Sequence, residues 1–115
     1  MKIVDQNTFN ETFQYFDKEI VVEIIDIFIN EYPERMTNIE RAIGDKNYAD
    51  LKFHAHSIKG VIANFMVPKP QELAKKLEIA GTEQNLTGVN ENFVALKEQC
   101  ELLMDDLKEI RAQFL

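Results

Sequence analysis

Apolar residues return every three or four positions along most of this chain, and this spacing restricts what it can fold into. The spacing is clearest in one central segment, whose apolar residues are Leu51, Ala55, Ile58, Ile62 and Phe65. Steps of four and three place side chains on one side of a helix, so the sequence predicts a helix from about Tyr48 to Phe65 with one buried stripe. The chain holds only 4 Gly and 3 Pro among 115 residues, which disfavours an all-β or loop-rich fold.

Further helices are predicted from the same spacing. A short N-terminal helix carries Phe residues, with Asn7 or Thr8 as its expected N-cap. Asp17 is expected to cap the second helix, and Pro33 either begins another helix or bends a continuous one. The second helix has two adjoining faces, one with Ile20, Ile24 and Ile27 and one with Val21, Ile25 and Phe28. The other predicted stripes are formed by Phe9, Phe13 and Phe16, by Met36, Ile39, Ala42 and Ile43, by Leu73, Leu77 and Ala80, and by Phe93, Leu96, Cys100, Leu103, Leu107 and Ile110.

The predicted breaks between these helices contain glycine and proline. Gly44 is an expected helix stop, and Asp45 is a candidate cap for the next segment. The prolines that follow Val67 interrupt the chain, Gly81 is expected to end the helix before it, and Gly88 marks the last connection. Long helices joined by short connections pack as antiparallel neighbours, so we expect an all-α, up-down bundle in a single domain, residues 1–115.

Charge and hydropathy disfavour several classes of partner. The formal net charge is −7, which is unfavourable for nonspecific binding to nucleic acid or to an anionic membrane surface. The longest apolar run, residues 20–29, is interrupted by Glu23 and Asp26 and is too short to span a bilayer. No signal-peptide core is present in residues 1–10, and the lone Cys100 has no partner for an intrachain disulfide. We therefore expect Cys100 in the core of a monomeric protein that is cytoplasmic or is a soluble piece of a larger one.

A second face of the central helix carries residues of a different kind. His56, Lys59, Gly60 and Ala63 share this face, which lies away from the apolar stripe. A neutral imidazole is a nucleophile, and a lysine one turn away supplies positive charge for an incoming anion. Glycine within a helix costs about 0.5–1 kcal/mol relative to alanine, so Gly60 requires a reason. It either admits a neighbouring helix or allows a partner to approach His56 closely. These four residues suit a histidine that carries a phosphoryl group and exchanges it with a docked partner protein.

The segment from Ala55 to Glu78 resembles the histidine-containing phosphotransfer (HPt) domain of two-component phosphorelays. The resembling pattern is Ala-His-x-Ile/Leu-Lys-Gly at residues 55–60, followed by a helix that ends in Leu-Glu at residues 77–78. Residues 28–36 are similar to the family's passage between helices before the site helix. In two places this chain departs from the pattern. The family often has Gly at the position of Met66 and usually an apolar residue where Pro70 stands.

The resemblance implies a four-helix bundle with an accessory N-terminal helix. It also implies a phosphorelay intermediate with no kinase activity and no cofactor. His56 would accept a phosphoryl group on Nε2 from a receiver-domain aspartate and pass it to another receiver. Lys59 would help to neutralise the phosphoryl group, Gly60 would permit close docking, and Glu78 would accept a hydrogen bond from the histidine Nδ1. The implied partners are response-regulator receiver domains, and a hybrid sensor histidine kinase is compatible with the resemblance.

Other interpretations of the polar residues are weaker. His54 lies about 200° around the helix from His56, so the two cannot easily share a metal, and the pair Asp50 and His54 is too small a ligand set. We expect no metal site, and His54 at the rim of the core. The acidic residues of the last helix, Asp105 and Asp106 among them, are expected on a solvated face. Two alternatives to phosphotransfer are a helical adaptor and a degenerate HPt domain that binds partners without transfer.

Overall fold

The chain forms five helices and, within the described residues 2–115, no strand, in a computed structural model. A short helix α1 spans Gln6–Thr12. The long helices are α2 (Lys18–Gly44), α3 (Tyr48–Ala63), α4 (Pro68–Glu83) and α5 (Val89–Gln113). Helix α3 packs against α2 and α4, and α5 packs against the same two helices from the other side. This closed ring of antiparallel neighbours is the predicted up-down four-helix bundle, with α1 as the accessory helix.

Most of the predicted apolar residues form the core. Of the two faces predicted for α2, Val21, Ile25 and Phe28 are buried, whereas Ile20 and Ile27 are 43% and 46% exposed. Leu51, Ala55, Ile58 and Ile62 of α3 are completely buried, and so are Leu77 of α4 and the α5 residues Leu96, Cys100, Leu103 and Leu107. Helix α1 packs onto the end of the bundle through Phe9, whose ring centroid lies 6.2 Å from that of Phe114. None of the described helices combines the length and the apolar character needed to cross a membrane.

The ends of the helices differ from the predictions in several places. The N-cap of α1 is Asp5, which accepts a hydrogen bond from the Asn7 backbone N–H at 3.1 Å, and neither Asn7 nor Thr8 has this role. Helix α1 stops at Thr12, so Phe16 lies outside it. The N-cap of α3 is Asn47 instead of Asp45, because the Asn47 side chain accepts from the Asp50 N–H at 3.1 Å. These errors concern one to four residues and leave the order of helices unchanged.

Helix α2 is continuous through Pro33, so this proline does not begin a new helix. The expected passage between helices at residues 28–36 is therefore wrong, because these residues lie inside α2. Proline removes one backbone donor from a helix and thereby leaves one carbonyl without its usual partner. Pro33 is exposed, on the outer side of the bundle, where water can bond that carbonyl. The long helix therefore continues past the proline, with one backbone hydrogen bond fewer.

Gly81 lies inside α4 and does not end it, contrary to the prediction from the sequence. A Cβ atom at this position would lie 2.7 Å from the backbone nitrogen of Lys52 and 2.8 Å from the carbonyl oxygen of Tyr48. Only glycine permits the backbones of α3 and α4 to approach this closely. The contact brings the preceding turn of α4, which contains Glu78, against α3.

Asp106 is buried, although it was expected on a solvated face. Its side chain faces the N-terminal segment, where the Ile3 and Val4 backbone N–H groups donate to Oδ2 at 2.6 and 2.9 Å. Residue Asp106 is 4% exposed, whereas the neighbouring Asp105 is exposed as predicted. The carboxylate thus ties the start of the chain to α5.

The connection between α3 and α4 explains both departures from the HPt pattern. Met66 has φ = +52°, in the left-handed region, where a glycine avoids the steric cost of a side chain. Pro70 is buried in the first turn of α4, where backbone N–H groups have no helical acceptor to lose. Both changes are accommodated in the connection and leave α3 and α4 intact.

Candidate functional site

His56 lies on the solvent side of α3 and is held there by a residue of α4. Its Nδ1 atom is 2.7 Å from Oε2 of Glu78. The His56 side chain is 68% exposed, whereas the Glu78 side chain is only 17% exposed. An exposed ring is therefore oriented by a mostly buried carboxylate, and the close contact between Gly81 and α3 makes this possible.

The hydrogen bond to Glu78 determines which ring nitrogen of His56 is available. An ionised carboxylate only accepts hydrogen bonds, so the Nδ1 atom must carry the proton and donate it. In the neutral imidazole, Nε2 then has the free lone pair. Nε2 lies on the opposite side of the ring from Glu78. The geometry therefore gives a nucleophilic nitrogen on an exposed side chain.

Lys59 also bonds Glu78, through the other carboxylate oxygen. Its Nζ atom donates to Oε1 at 2.5 Å, and the Lys59 side chain is 25% exposed. The hydrogen bond from Lys59 is the main reason that the pKa of Glu78 lies below its ordinary value, and the bond from His56 also lowers it. Partial burial of Glu78 acts in the opposite direction. The carboxylate thus stays ionised and can accept from both partners.

Gly60 lies on the same face as His56 and is exposed. A Cβ atom built on Gly60 would have no atom within 4 Å. No neighbouring helix therefore requires glycine at this position. Of the two interpretations of Gly60, helix packing is wrong, and open access to the His56 face is the one that the geometry permits.

Arg35 of α2 fixes the site helix from its other side. Its Nη1 atom donates to the Ser57 hydroxyl at 2.7 Å, and its Nη2 atom donates to Glu31 at 2.8 Å. Ser57 is the residue next to His56, so this bridge holds α3 against α2 at the level of the site. The role of Arg35 was missed because the partner, Ser57, is 22 residues away and has no sequence spacing that links the two.

The remaining candidates lie apart from this cluster. His54 is half-buried, and its ring stands edge-on to the ring of Phe53 at 5.1 Å between centroids. Cys100 is fully buried in α5, and burial raises the pKa of its thiol to about 12, so the reactive thiolate is not available near neutral pH. No group of three metal-ligating His, Cys, Asp or Glu side chains occurs among residues 2–115.

Comparison with known sequences supports the resemblance on which these residues were chosen. The sequence model of the Hpt domain matches residues 23–113. This chain belongs to the Hpt domain family. The matched region begins in α2 and includes α3, α4 and α5, so all four candidate residues of this Hpt domain lie inside it. Membership supports a role in histidine phosphotransfer within phosphorelays, as a carrier rather than a kinase.

A solved structure shows the same fold. The crystal structure of histidine-containing phosphotransfer protein B (HptB) from Pseudomonas aeruginosa PAO1 superimposes with a TM-score of 0.86. The alignment covers 96% of each chain at 19% sequence identity. No curated protein matches the sequence significantly. The likeness to HptB covers more of this chain than residues 23–113, which the family model matches.

Proposed function

We propose that His56 accepts a phosphoryl group from the aspartyl phosphate of a receiver domain and passes it to the aspartate of another receiver. The observation that carries this proposal is the exposed His56 ring with its Nδ1 atom 2.7 Å from the partly buried Glu78 carboxylate. A phosphoacceptor needs a free nitrogen, a fixed ring orientation and access for a partner. The pair of His56 and Glu78 supplies the first two, and Gly60 leaves space for the third.

The transfer step follows from the position of the proton on Nδ1. The lone pair on Nε2 attacks phosphorus, the bond between phosphorus and the aspartyl oxygen breaks, and the donor aspartate leaves as a carboxylate. Nδ1 keeps its proton, so the phosphorylated ring is cationic, and the ionised Glu78 stabilises that charge. In the second transfer the new acceptor's carboxylate attacks phosphorus, and the ring leaves as a neutral imidazole.

An apolar groove on the α2 side of the site helix, towards its C-terminal end, suits the docking of a receiver domain. It lies between α2 and α3 and has a volume of about 110 Å³, with Ile24, Ile27, Phe28, Val61, Asn64 and Phe65 as its lining. Ile27 is 46% exposed and Ile20, further along α2, is 43% exposed. Apolar side chains next to a reacting group are typical of a protein interface rather than of bare surface.

We also infer that residues 1–115 act as one domain, because α1 packs on the same bundle.

The test is incubation with a phosphorylated receiver domain. We expect an acid-labile label on the chain, located on His56 by mass spectrometry. His56→Gln should abolish labelling, whereas the matched control His54→Gln should retain it. Labelling that persists in His56→Gln would contradict the assignment. Receiver binding without any label would indicate a degenerate domain, and neither binding nor label would indicate an adaptor with other partners.

A further inference from the structure

Phosphorylation of His56 adds negative charge, and the ion pair of Lys59 and Glu78 does not balance it. A phosphoryl group carries about −1.5 to −2 charge near neutral pH. Lys59 is the cation that the HPt resemblance assigns to this task, but its Nζ atom is 2.5 Å from Glu78. If Lys59 left Glu78, the partly buried carboxylate would lose its main partner. The cationic ring of phosphorylated His56 offsets part of the new negative charge, and a further cation near Nε2 would stabilise the rest.

Lys52 is the cation best placed to supply this charge. It precedes His56 by four residues on α3, so the two side chains are neighbours on one face of the helix. Lys52 is exposed, and no ion pair joins it to any of the described residues, 2–115. Its charge is therefore free to face an added anion.

The contact with Gly81 brings Lys52 close to the site by a second route. The backbone nitrogen of Lys52 would be 2.7 Å from a Cβ atom on Gly81, and Glu78 precedes Gly81 by one turn of α4. Lys52 thus lies about one turn from both members of the hydrogen bond between His56 and Glu78. Lys75 lies one turn from Glu78 on α4 but does not share a helix with His56.

The distribution of charge also favours an anion on this side of the bundle. Residues 48–83, which form α3, α4 and their connection, contain five Lys and four Asp or Glu, although the whole chain has a formal net charge of −7. The acidic excess thus lies in the other parts of the chain. An anion at His56 is surrounded by the least acidic region of the molecule.

We propose that Lys52 faces the phosphoryl group on His56 and neutralises it while Lys59 remains bound to Glu78. The proposal rests on the proposed function, because it concerns the phosphorylated state of the same residue. The two lysines then have separate tasks. Lys59 keeps Glu78 ionised and in place, and Lys52 stabilises the charge that arrives with phosphorus.

The test uses phosphoramidate, a small anionic phosphoryl donor that needs no docking surface. We compare the wild-type chain with Lys52→Gln, Lys52→Arg and the control Lys108→Gln, an exposed lysine of α5. Helix α5 does not pack against α3. At low ionic strength Lys52→Gln should slow the labelling of His56 about two- to fivefold, as expected for one exposed charge pair. The difference should shrink in 1 M salt, where the screening length falls to about 3 Å. Lys52→Arg should label at the wild-type rate.

A second measurement reports on the phosphoryl group itself. A neighbouring cation favours the dianion, so the pH midpoint of the ³¹P signal should rise in Lys52→Gln and stay unchanged in Lys108→Gln. The role of Lys52 is refuted if the wild-type chain is labelled on His56 but Lys52→Gln and Lys108→Gln have equal labelling rates and equal ³¹P midpoints. It is also refuted if Lys75→Gln changes the rate and the midpoint and Lys52→Gln does not. In both cases the proposed function stands. Absence of wild-type labelling by both phosphoramidate and phosphorylated receiver would overturn both proposals.

Discussion

Lys59 and Glu78 form the shortest contact at the candidate site, with the Lys59 Nζ atom 2.5 Å from Oε1. The resemblance to HPt domains implies that Lys59 helps to neutralise the phosphoryl group, and this role stays a prediction. In the structure its Nζ atom bonds the carboxylate that orients His56. Both oxygens of Glu78 are therefore occupied, one by a cation and one by the imidazole, and the position of the ring depends on both partners.

Lys59→Met should lower both stability and phosphoryl transfer. The mutation leaves a partly buried carboxylate with His56 as its remaining partner. Water still reaches Glu78, which limits the loss in unfolding free energy to about 1 kcal/mol. Transfer should slow because Glu78 no longer holds the ring in one orientation. Urea unfolding and receiver-transfer rates measure the two effects, with Lys108→Met as control. Unchanged stability in Lys59→Met would show that the ion pair contributes nothing in solution.

The lowered pKa of Glu78 predicts a pH dependence of stability. In the unfolded chain this carboxyl has its ordinary pKa of 4.5. Between the folded and unfolded values the unfolded chain binds more protons, so stability rises with pH there. The contribution of Glu78 is complete above 4.5 and is lost as the pH falls through the folded value. The stability difference between wild type and Glu78→Gln should therefore shrink below pH 4.5 in urea unfolding. Glu72→Gln, which removes an exposed carboxyl elsewhere on α4, is the matched control.

Gly60→Ala should stabilise the domain and slow transfer from a receiver. Alanine is favoured over glycine within a helix by up to about 1 kcal/mol, and nothing lies within 4 Å of the added Cβ atom. Gly60→Gln should also remain folded, while its larger side chain obstructs the receiver beside His56. Thermal melting and transfer rates separate the effects. Unfolding of Gly60→Gln would show that the domain needs glycine here for its own packing.

Gly81→Ala should have the opposite effect on stability, although both glycines lie within helices. The new Cβ atom would meet backbone atoms of α3 at 2.7 and 2.8 Å, so the two helices must move apart. Overpacking of this kind costs about 1–3 kcal/mol, more than the gain in helix propensity. The shift also moves Glu78 away from His56, so transfer should fall together with the melting temperature. A melting temperature equal to that of wild type would mean that α4 adjusts freely.

Local patterns in the sequence were sufficient to predict the helices and the face that His56 shares with Lys59 and Gly60. Periodicity depends on neighbours three or four residues apart, and all of these features lie within one helix. Contacts between distant segments leave no such signal. From the sequence, Gly81 is expected to end a helix. Only the close approach of the Lys52 backbone from α3 shows why glycine is required there. The partner of Lys59 was equally invisible, because the choice between Glu78 and an incoming phosphoryl group depends on distances between helices.

Asp106 provides the last prediction, since its burial was also decided by a distant segment. Asp106→Asn should weaken the two hydrogen bonds from the Ile3 and Val4 N–H groups, because a neutral amide oxygen accepts less strongly than a carboxylate. Bonds to a buried charged group contribute about 1.5–3 kcal/mol each, so we expect a loss of about 1–3 kcal/mol in unfolding free energy. Hydrogen exchange at these two amides should accelerate. The neighbouring Asp105→Asn is the control and should change neither quantity, because that side chain is exposed. Protected amides in Asp106→Asn would show that the N-terminal segment is held by the burial of Val4 and Phe9 alone.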